Sequence, residues 1–214
     1  MLKLWGRRSS INVQKVLWTL AELGLPFEQI DAGGRFGGLD TAEFRARNPH
    51  GRIPVIDDDG ALVWESNAIV RYLAARYSTG GLWPESAAER AVADQWMDWC
   101  GAGLQPAFMG FFWNWYRTPE SQRDAARNAA LLAVAHQAFA VLDAALVGRP
   151  FLAHDRLTMG DIPVGTMLYR YFTLDITRPR HLRLEAWHQA LGERPAYRDG
   201  VMLPYDELKG RLAF

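Results

Sequence analysis

Three short stretches carry residue types that could bind and activate a small polar ligand. The first is Ser10-Ile11-Asn12. A serine hydroxyl is a poor base near neutral pH, but it donates a hydrogen bond, and a bound thiolate is a good acceptor. At a helix N-terminus the hydroxyl adds to the partial positive charge already there. Together they could bring a thiol from a pKa of about 8.5 towards 6 or 7. Asn12 offers a second donor, although both residue types are also ordinary helix caps. The second stretch runs from Asn48 through Arg52-Ile53-Pro54 to Val55. A proline at a strand entry removes one ladder hydrogen bond without harm. A cis bond before it would turn the Ile53 N–H and C=O outward, ready to pair with an extended peptide-like ligand. Arg52 could hold a carboxylate, or be a solvated charge. The third stretch is Glu65-Ser66-Asn67. A helix start with a serine hydroxyl suits a carboxylate, and Glu65 beside it could pair with an ammonium. Together they would recognise an α-amino acid end group, unless Ser66 is a plain N-cap.

The elements that must position these stretches follow from periodicity. Leu2-Lys3-Leu4-Trp5 reads as a strand. Val13, Val16, Leu17, Leu20 and Leu23 recur at helical spacing, with Gly24 and Pro26 closing the helix. Phe27 to Ile30 alternates like a second strand, and Thr41 to Arg47 is a short helix. Ile53 to Ile56 and Ala61 to Trp64 flank Asp57-Asp58-Asp59-Gly60, which predicts a hairpin across a four-residue turn. Ser66 then starts a helix carrying Ile69, Val70, Tyr72, Leu73 and Tyr77. The order βαβαββα is that of a thioredoxin-like α/β domain, placed at residues 1–78. A Gly-, Ser- and Pro-rich linker spans 79–86. Residues 87–214 read as all-helical: Ala87 to Tyr116 as one long helix kinked near Gly101-Ala102-Gly103 and Pro106, then Glu120 to Leu146, a helix starting at Thr158-Met159-Gly160-Asp161, Leu184 to Leu191, and a short piece after Pro195.

Composition narrows the partners. The 214 residues hold 24 basic and 24 acidic side chains, so net charge is zero and no basic block suggests nucleic acid. No apolar run of about 18 residues is evident, so no membrane span is expected. No leader segment is evident either, which sets a cytoplasmic expectation. The single Cys100 excludes an internal disulfide and a cysteine-based zinc cluster; mid-helix, it reads as a packing residue. The five histidines lack metal-ligand spacing, and Asp57-Asp58-Asp59-Gly60 lacks the later ligands of a calcium loop.

A thioredoxin-like redox domain would place Cys-x-x-Cys where this chain has Arg8-Ser9-Ser10-Ile11-Asn12. Any thiol handled there must arrive with a ligand. At this point the sequence resembles the cytosolic glutathione transferases, of the serine type and similar to their theta, zeta and nu classes. The resemblance rests on Ser10 ahead of Lys15-Val16, on Asn48 to Val55, on Glu65 to Leu73, and on Phe151-Leu152-Ala153 through Thr158 to Ile162. It spans nearly the whole chain and implies an enzyme conjugating the glutathione thiolate to an apolar electrophile. Glutathione would be the co-substrate, with no metal. The resemblance implies that Ser10 stabilises the thiolate and that Asn12 lies near the sulfur. It further implies that the Ile53 backbone pairs with the cysteinyl residue, and that Glu65 and Ser66 hold the γ-glutamyl amine and carboxylate. Thr158 and Asp161 match the family's capping box. For the glycine carboxylate the loop Ala32 to Gly38 offers only Arg35. The aromatic cluster from Phe108 to Tyr116 is expected to line the second-substrate pocket, with Phe108, Phe112 and Trp113 as the residues chosen. A homodimer is implied as well. A glutathione-dependent disulfide reductase or peroxidase, to which Asn12 points, and a non-enzymatic interaction protein of the same fold are the competing readings.

Overall fold

A computed structural model describes residues 1–212. Its first part is a four-stranded mixed sheet in the order β2-β1-β3-β4, built from β1 (Leu2–Trp5), β2 (Phe27–Ile30), β3 (Val55–Asp58) and β4 (Ala61–Trp64). β1 runs parallel to β2, with Leu4 opposite Gln29, and antiparallel to β3, with Leu4 opposite Ile56. The parallel pair needs a crossover, which α1 (Ile11–Glu22) supplies. The hairpin is tighter than its sequence suggests. Only Asp59 and Gly60 lie outside the strands, both at positive φ. That is the conformation two-residue hairpin loops require, and Asp57 Oδ1 accepts from the Gly60 N–H at 2.7 Å.

Both sheet faces are covered. α1 and α3 (Ser66–Tyr77) pack Val13, Val16, Leu20, Ile69 and Leu73 onto Leu2, Leu4 and Ile56. The short α2 (Ala42–Arg47), capped by the Thr41 hydroxyl, lays Phe44 on the other face against Trp5 and Val55.

The remaining elements are helices: α4 (Ala87–Trp99), α5 (Gln105–Phe112), α6 (Ala125–Ala145), α7 (Asp161–Thr173), α8 (Leu182–Gly192) and α9 (Pro195–Gly200). The expected long helix is present, and its regular α-helical bonding is interrupted where the kink was expected, at Gly101-Ala102-Gly103. A π turn at Cys100–Leu104 joins α4 to α5, and a second at Trp113–Arg117 extends the run. Pro106 has no N–H to donate and sits at the first positions of α5. The expected Glu120-to-Leu146 helix begins later, because Glu120–Gln122 forms a separate 3₁₀ turn and Asp124 caps α6. α6 also corrects the reading that no segment could span a bilayer: by length and composition it is apolar enough. It packs here as a domain helix, with Ala135, Phe139 and Leu142 in the core. The capping-box pair performs as expected for folding, since the buried Asp161 carboxylate accepts from the N–H groups of Leu152 and Thr158 and from the Thr158 hydroxyl.

α1 is shared by both parts of the molecule. Its outer face carries Trp18, fully buried against α7 and α9. A Cβ added at Gly200 would lie 2.6 Å from the Trp18 backbone nitrogen, and one at Gly165 would lie 2.8 Å from its ring. Tyr197 meets the Trp18 ring edge-on at 4.9 Å. Trp18 Nε1 and a forked Arg194 guanidinium both donate to Glu22. α3 is tied to α4 by Arg71, which bridges Asp94 and Asp98 at 2.6 Å each.

Candidate active site

The start of α1 is held from both sides. Gly6, at φ +149°, turns the chain out of β1, and a Cβ there would lie 2.5 Å from a Val13 methyl. Arg170, fully buried on α7, donates to the Ser9 carbonyl. Burial pushes the Arg170 guanidinium down to about 9, and the faces of Phe112 and Tyr205 lie 4.9 and 5.2 Å from it. Ser10 is the N-cap by backbone conformation, yet its hydroxyl makes no capping bond. Its N–H donates to Arg7 O and its carbonyl accepts from Gln14 N. Among the described residues the hydroxyl is therefore uncommitted, at the positive end of α1.

Ser10 opens onto a cleft of about 470 Å³ lined also by Arg7, Gly33, Leu39, Arg52, Ile53, Trp113 and Arg117. The Ile53–Pro54 bond is cis, as the strand-entry proline allows. Among the described residues none takes the Ile53 N–H or C=O in a hydrogen bond. Asn48 holds the approach to this bond, donating to Arg52 O at 2.8 Å and accepting from His50 N. Across the cleft the Arg117 guanidinium lies 3.6 Å from the Trp113 ring centre and donates to Arg211 O. Burial, and then the charge of Arg7, push Arg117 down to about 10.

A second, adjoining pocket of about 290 Å³ is lined by Asn12, Lys15, Glu65, Ser66, Gln105 and their neighbours. Glu65, not Ser66, occupies the cap position of α3, and it does so at φ +69°. A side-chain-bearing residue held there costs on the order of 1 kcal/mol or more. The twist aims the exposed Glu65 carboxylate and the buried Ser66 hydroxyl into one corner. The Lys15 ammonium reaches the same corner from α1 and donates to Gln105 Oε1 at 2.7 Å, Asn67 Oδ1 at 3.3 Å and Ser66 Oγ at 3.4 Å.

The sequence-predicted residues therefore divide. Ser10, Arg52, Ile53 and Trp113 meet in the cleft, and Glu65 and Ser66 in the adjoining corner. Asn12 is not beside Ser10. Two residues on along a helix point away from each other, and the Asn12 amide oxygen accepts from Ser66 Oγ and from Gln105 Nε2 at 3.1 Å. Arg35 is likewise outside the cleft, in a 3₁₀ turn, 3.7 Å from Glu207 and stacked on Phe36. Phe108 and Phe112 line no cleft, because both are fully buried in the helical core against Phe139, Tyr171 and Tyr205. Only Trp113 of that trio reaches the cleft, 41% exposed. Lys15, Gln105 and Arg117 escaped the sequence reading as site residues: each acquires its place by contact between distant segments, and nothing local marks them. Cys100 is buried, and burial pushes its thiol up to about 11. No group of three or more metal-ligating side chains occurs among the described residues.

A sulfur-free thioredoxin-like sheet, a cis Ile-Pro facing the start of its first helix, and an all-helical partner packed on that helix define the glutathione-transferase class of protein. The chain belongs to the glutathione S-transferase family: the family's N-terminal domain matches residues 1–75 and its C-terminal domain residues 104–195. It is 45% identical to the glutathione S-transferase GstB of Escherichia coli K12, over 95% of this chain and 99% of that protein. It is 30% identical to glutathione S-transferase 3 of Zea mays, over 94% and 93% of the two chains. The theta class glutathione S-transferase of Xanthomonas axonopodis pv. citri, solved with glutathione bound, superimposes with a TM-score of 0.92. The two share 46% identity, covering 95% of this chain and 98% of that one.

Proposed function

We propose that the protein is an enzyme that binds glutathione as its thiolate and transfers it to an electrophilic carbon. One observation carries this reading: the Ser10 hydroxyl, free of any capping bond at the α1 N-terminus, faces a cleft that also presents the Ile53 backbone. In the proposed complex Ile53 pairs with the cysteinyl residue, Glu65 takes the γ-glutamyl amine, and Ser66 takes its carboxylate. Arg52, which shares the cleft with Arg7 and Arg117, takes the glycine carboxylate in place of Arg35, which turns to Glu207. The sulfur lone pair forms the C–S bond as the leaving group departs with its electrons, so no outside oxidant or reductant is needed.

The electrophile sits on the apolar surface that Leu39, Ile53 and Trp113 provide. Thiolate formation contributes only about 25-fold at pH 7, from roughly 3% to three-quarters ionised. Positioning of the two reactants supplies much of the remainder. Residues 1–78 act as the glutathione-binding domain and 87–214 as the helical domain across the 79–86 linker. The enzyme works in the cytoplasm, as a homodimer, in detoxification. The competing reductase reading, to which Asn12 pointed, is decided by turnover of a disulfide substrate.

The test has two arms: retention on immobilised glutathione, and turnover of 1-chloro-2,4-dinitrobenzene against 2-hydroxyethyl disulfide. Retention with turnover of the aryl halide supports the reading. Turnover of the disulfide alone moves the assignment to reduction, and absence of retention removes glutathione altogether.

A further inference from the structure

Arg170 holds a guanidinium in the interior of the molecule, 1% exposed. Taking that charge out of water costs the fold stability, and an apolar side chain of similar volume fills such a position without the cost. Arg170 makes no ion pair among the described residues. Its partners are neutral: the Ser9 carbonyl, to which it donates, and the faces of Phe112 and Tyr205. Its Nε is buried with no acceptor. The Tyr116 phenol also bears on it, and so do two further cations, Arg7 and Arg117. Packing gains little from an arginine here, and its cationic neighbours oppose it.

The charge is directed at the start of α1. The Ser9 carbonyl belongs to the peptide unit that joins Ser9 to Ser10, so the guanidinium sits one peptide behind the hydroxyl that faces the cleft. Arg7 and Arg117 line that cleft in front. Three guanidiniums thus converge on one helix N-terminus, from α7, from the loop after β1 and from the π turn after α5. Two acids of the C-terminal segment lie near. Glu207 accepts from the Ser9 hydroxyl, stands 3.7 Å from Arg35 and acts on Arg7, while Asp206 acts on Tyr116 and Tyr205. The loop does not depend on Arg170 for its shape. Arg8 donates to Asp199 O at 3.0 Å, Gln14 Nε2 donates to Arg8 O at 3.1 Å, and Ser9 is tethered to Glu207. What Arg170 adds to these bonds is charge. Positive charge gathered against its own repulsion, beside an uncommitted hydroxyl, suits a bound anion.

We propose that Arg170 is a positioning residue for the thiolate: fixed to the Ser9 carbonyl from the helical domain, it places a buried positive charge behind Ser10 and favours the ionised form of the glutathione sulfur. This rests on the glutathione reading above. Arg170 does not line the cleft, so it acts on thiol ionisation and not on affinity for the rest of the tripeptide. Standard bond lengths, with one hydrogen bond at each end, set guanidinium and sulfur about 8–10 Å apart. At an effective dielectric of about 20, a unit charge at that distance lowers the thiol pKa by roughly one unit.

The experiment follows thiolate absorbance of the glutathione complex against pH, on the full-length protein and its Arg170→Gln, Arg170→Lys and Ser9→Ala variants. Calorimetry with S-methylglutathione, which has no ionisable thiol, reads binding separately. Arg170→Gln keeps an amide donor for the Ser9 carbonyl and removes the charge. It is expected to raise the thiol midpoint by about one unit and to keep S-methylglutathione affinity within about twofold. Arg170→Lys is expected to recover most of the shift. Ser9→Ala cuts a tether of the same loop and keeps the charge, so its midpoint is expected to stay within about 0.3 unit of wild type. An unmoved midpoint in Arg170→Gln, or an equal rise in Ser9→Ala, overturns the proposal. Should Arg170→Gln not fold, Arg170→Met takes its place. Where neither folds, Arg170→Lys decides: a midpoint near wild type supports the role of charge, and a rise of about one unit overturns it. A wild-type protein that binds S-methylglutathione but fails this comparison removes only the role of Arg170. One that does not bind S-methylglutathione removes the glutathione reading with it.

Discussion

Replacing Ser10 by alanine should raise the pKa of the bound glutathione thiol and do little else. Among the described residues the hydroxyl makes no bond, so its loss orphans no partner there and leaves the cap backbone bonds of α1 in place. A hydrogen bond to a charged acceptor is worth about 1.5–3 kcal/mol. At about 1.4 kcal/mol per pKa unit, the thiol should move up by about one to two units. From about 6.5, the bound thiol would reach about 7.5–8.5, and the ionised fraction at pH 7 would fall from roughly three-quarters to between a quarter and 3%. The helix N-terminus, worth about 0.3–1 kcal/mol, survives the substitution and limits the rise. The more basic thiolate is also a better nucleophile, with a Brønsted slope of about 0.4–0.5. The ionised fraction falls about 3- to 25-fold at pH 7, the higher nucleophilicity returns about 3- to 10-fold, and the net rate deficit should be no more than about fourfold at pH 7 and reverse above about pH 9.5. Thiolate absorbance of the binary complex, followed against pH beside single-turnover rates, reads both quantities. A titration midpoint that stays put, or a rate loss equal at pH 6.5 and 9.5, would refute the argument that Ser10 acts on the charge of the sulfur.

Three further outcomes are expected. Glu65→Gln keeps side-chain size but removes the charge aimed at the γ-glutamyl amine, so glutathione affinity should fall about tenfold or more while the melting temperature stays nearly constant. Gly200→Ala places a methyl group against backbone atoms of Trp18 and Leu17 that cannot swing aside. It should destabilise by about 1–3 kcal/mol and lower the melting temperature by several degrees. Burial on the Phe172 ring lowers His188 to about 4 from its ordinary 6.5. Its neutral form thus stabilises the fold fully above pH 6.5, and that contribution, on the order of 1–2 kcal/mol after allowing for partial exposure, disappears as pH falls towards 4. Chemical denaturation of His188→Gln across that window should show a flatter profile than the parent protein, and an unchanged slope would count against this account.

The hairpin, the crossover helix and the Ile-Pro corner were legible because each depends on residues close together in the chain. Ser10, Ile53 and Glu65-Ser66 each carry a local signal: a cap residue, a proline at a strand entry, a polar pair before a helix. The errors have a common cause. Aromatic density from Phe108 to Tyr116 reveals that the helix is buried on one side, but which rings face inward depends on α6 and α7. Phe108 and Phe112 went to the core and Trp113 to the cleft. Asn12 and Ser10 are near in sequence, yet helical geometry sends them to different pockets. Lys15 entered the sequence reading only beside Val16, because its bond to Gln105, 90 positions away, leaves no local signal.

The lodging of Trp18 between Gly165 and Gly200 has a consequence for how the molecule comes apart. The indole belongs by chain position to the sheet-bearing half and by surroundings to the helical half. Neither half can loosen alone without wetting a large aromatic ring and stranding the Glu22 carboxylate from Arg194. Scanning calorimetry should accordingly record one melting endotherm for the chain instead of two.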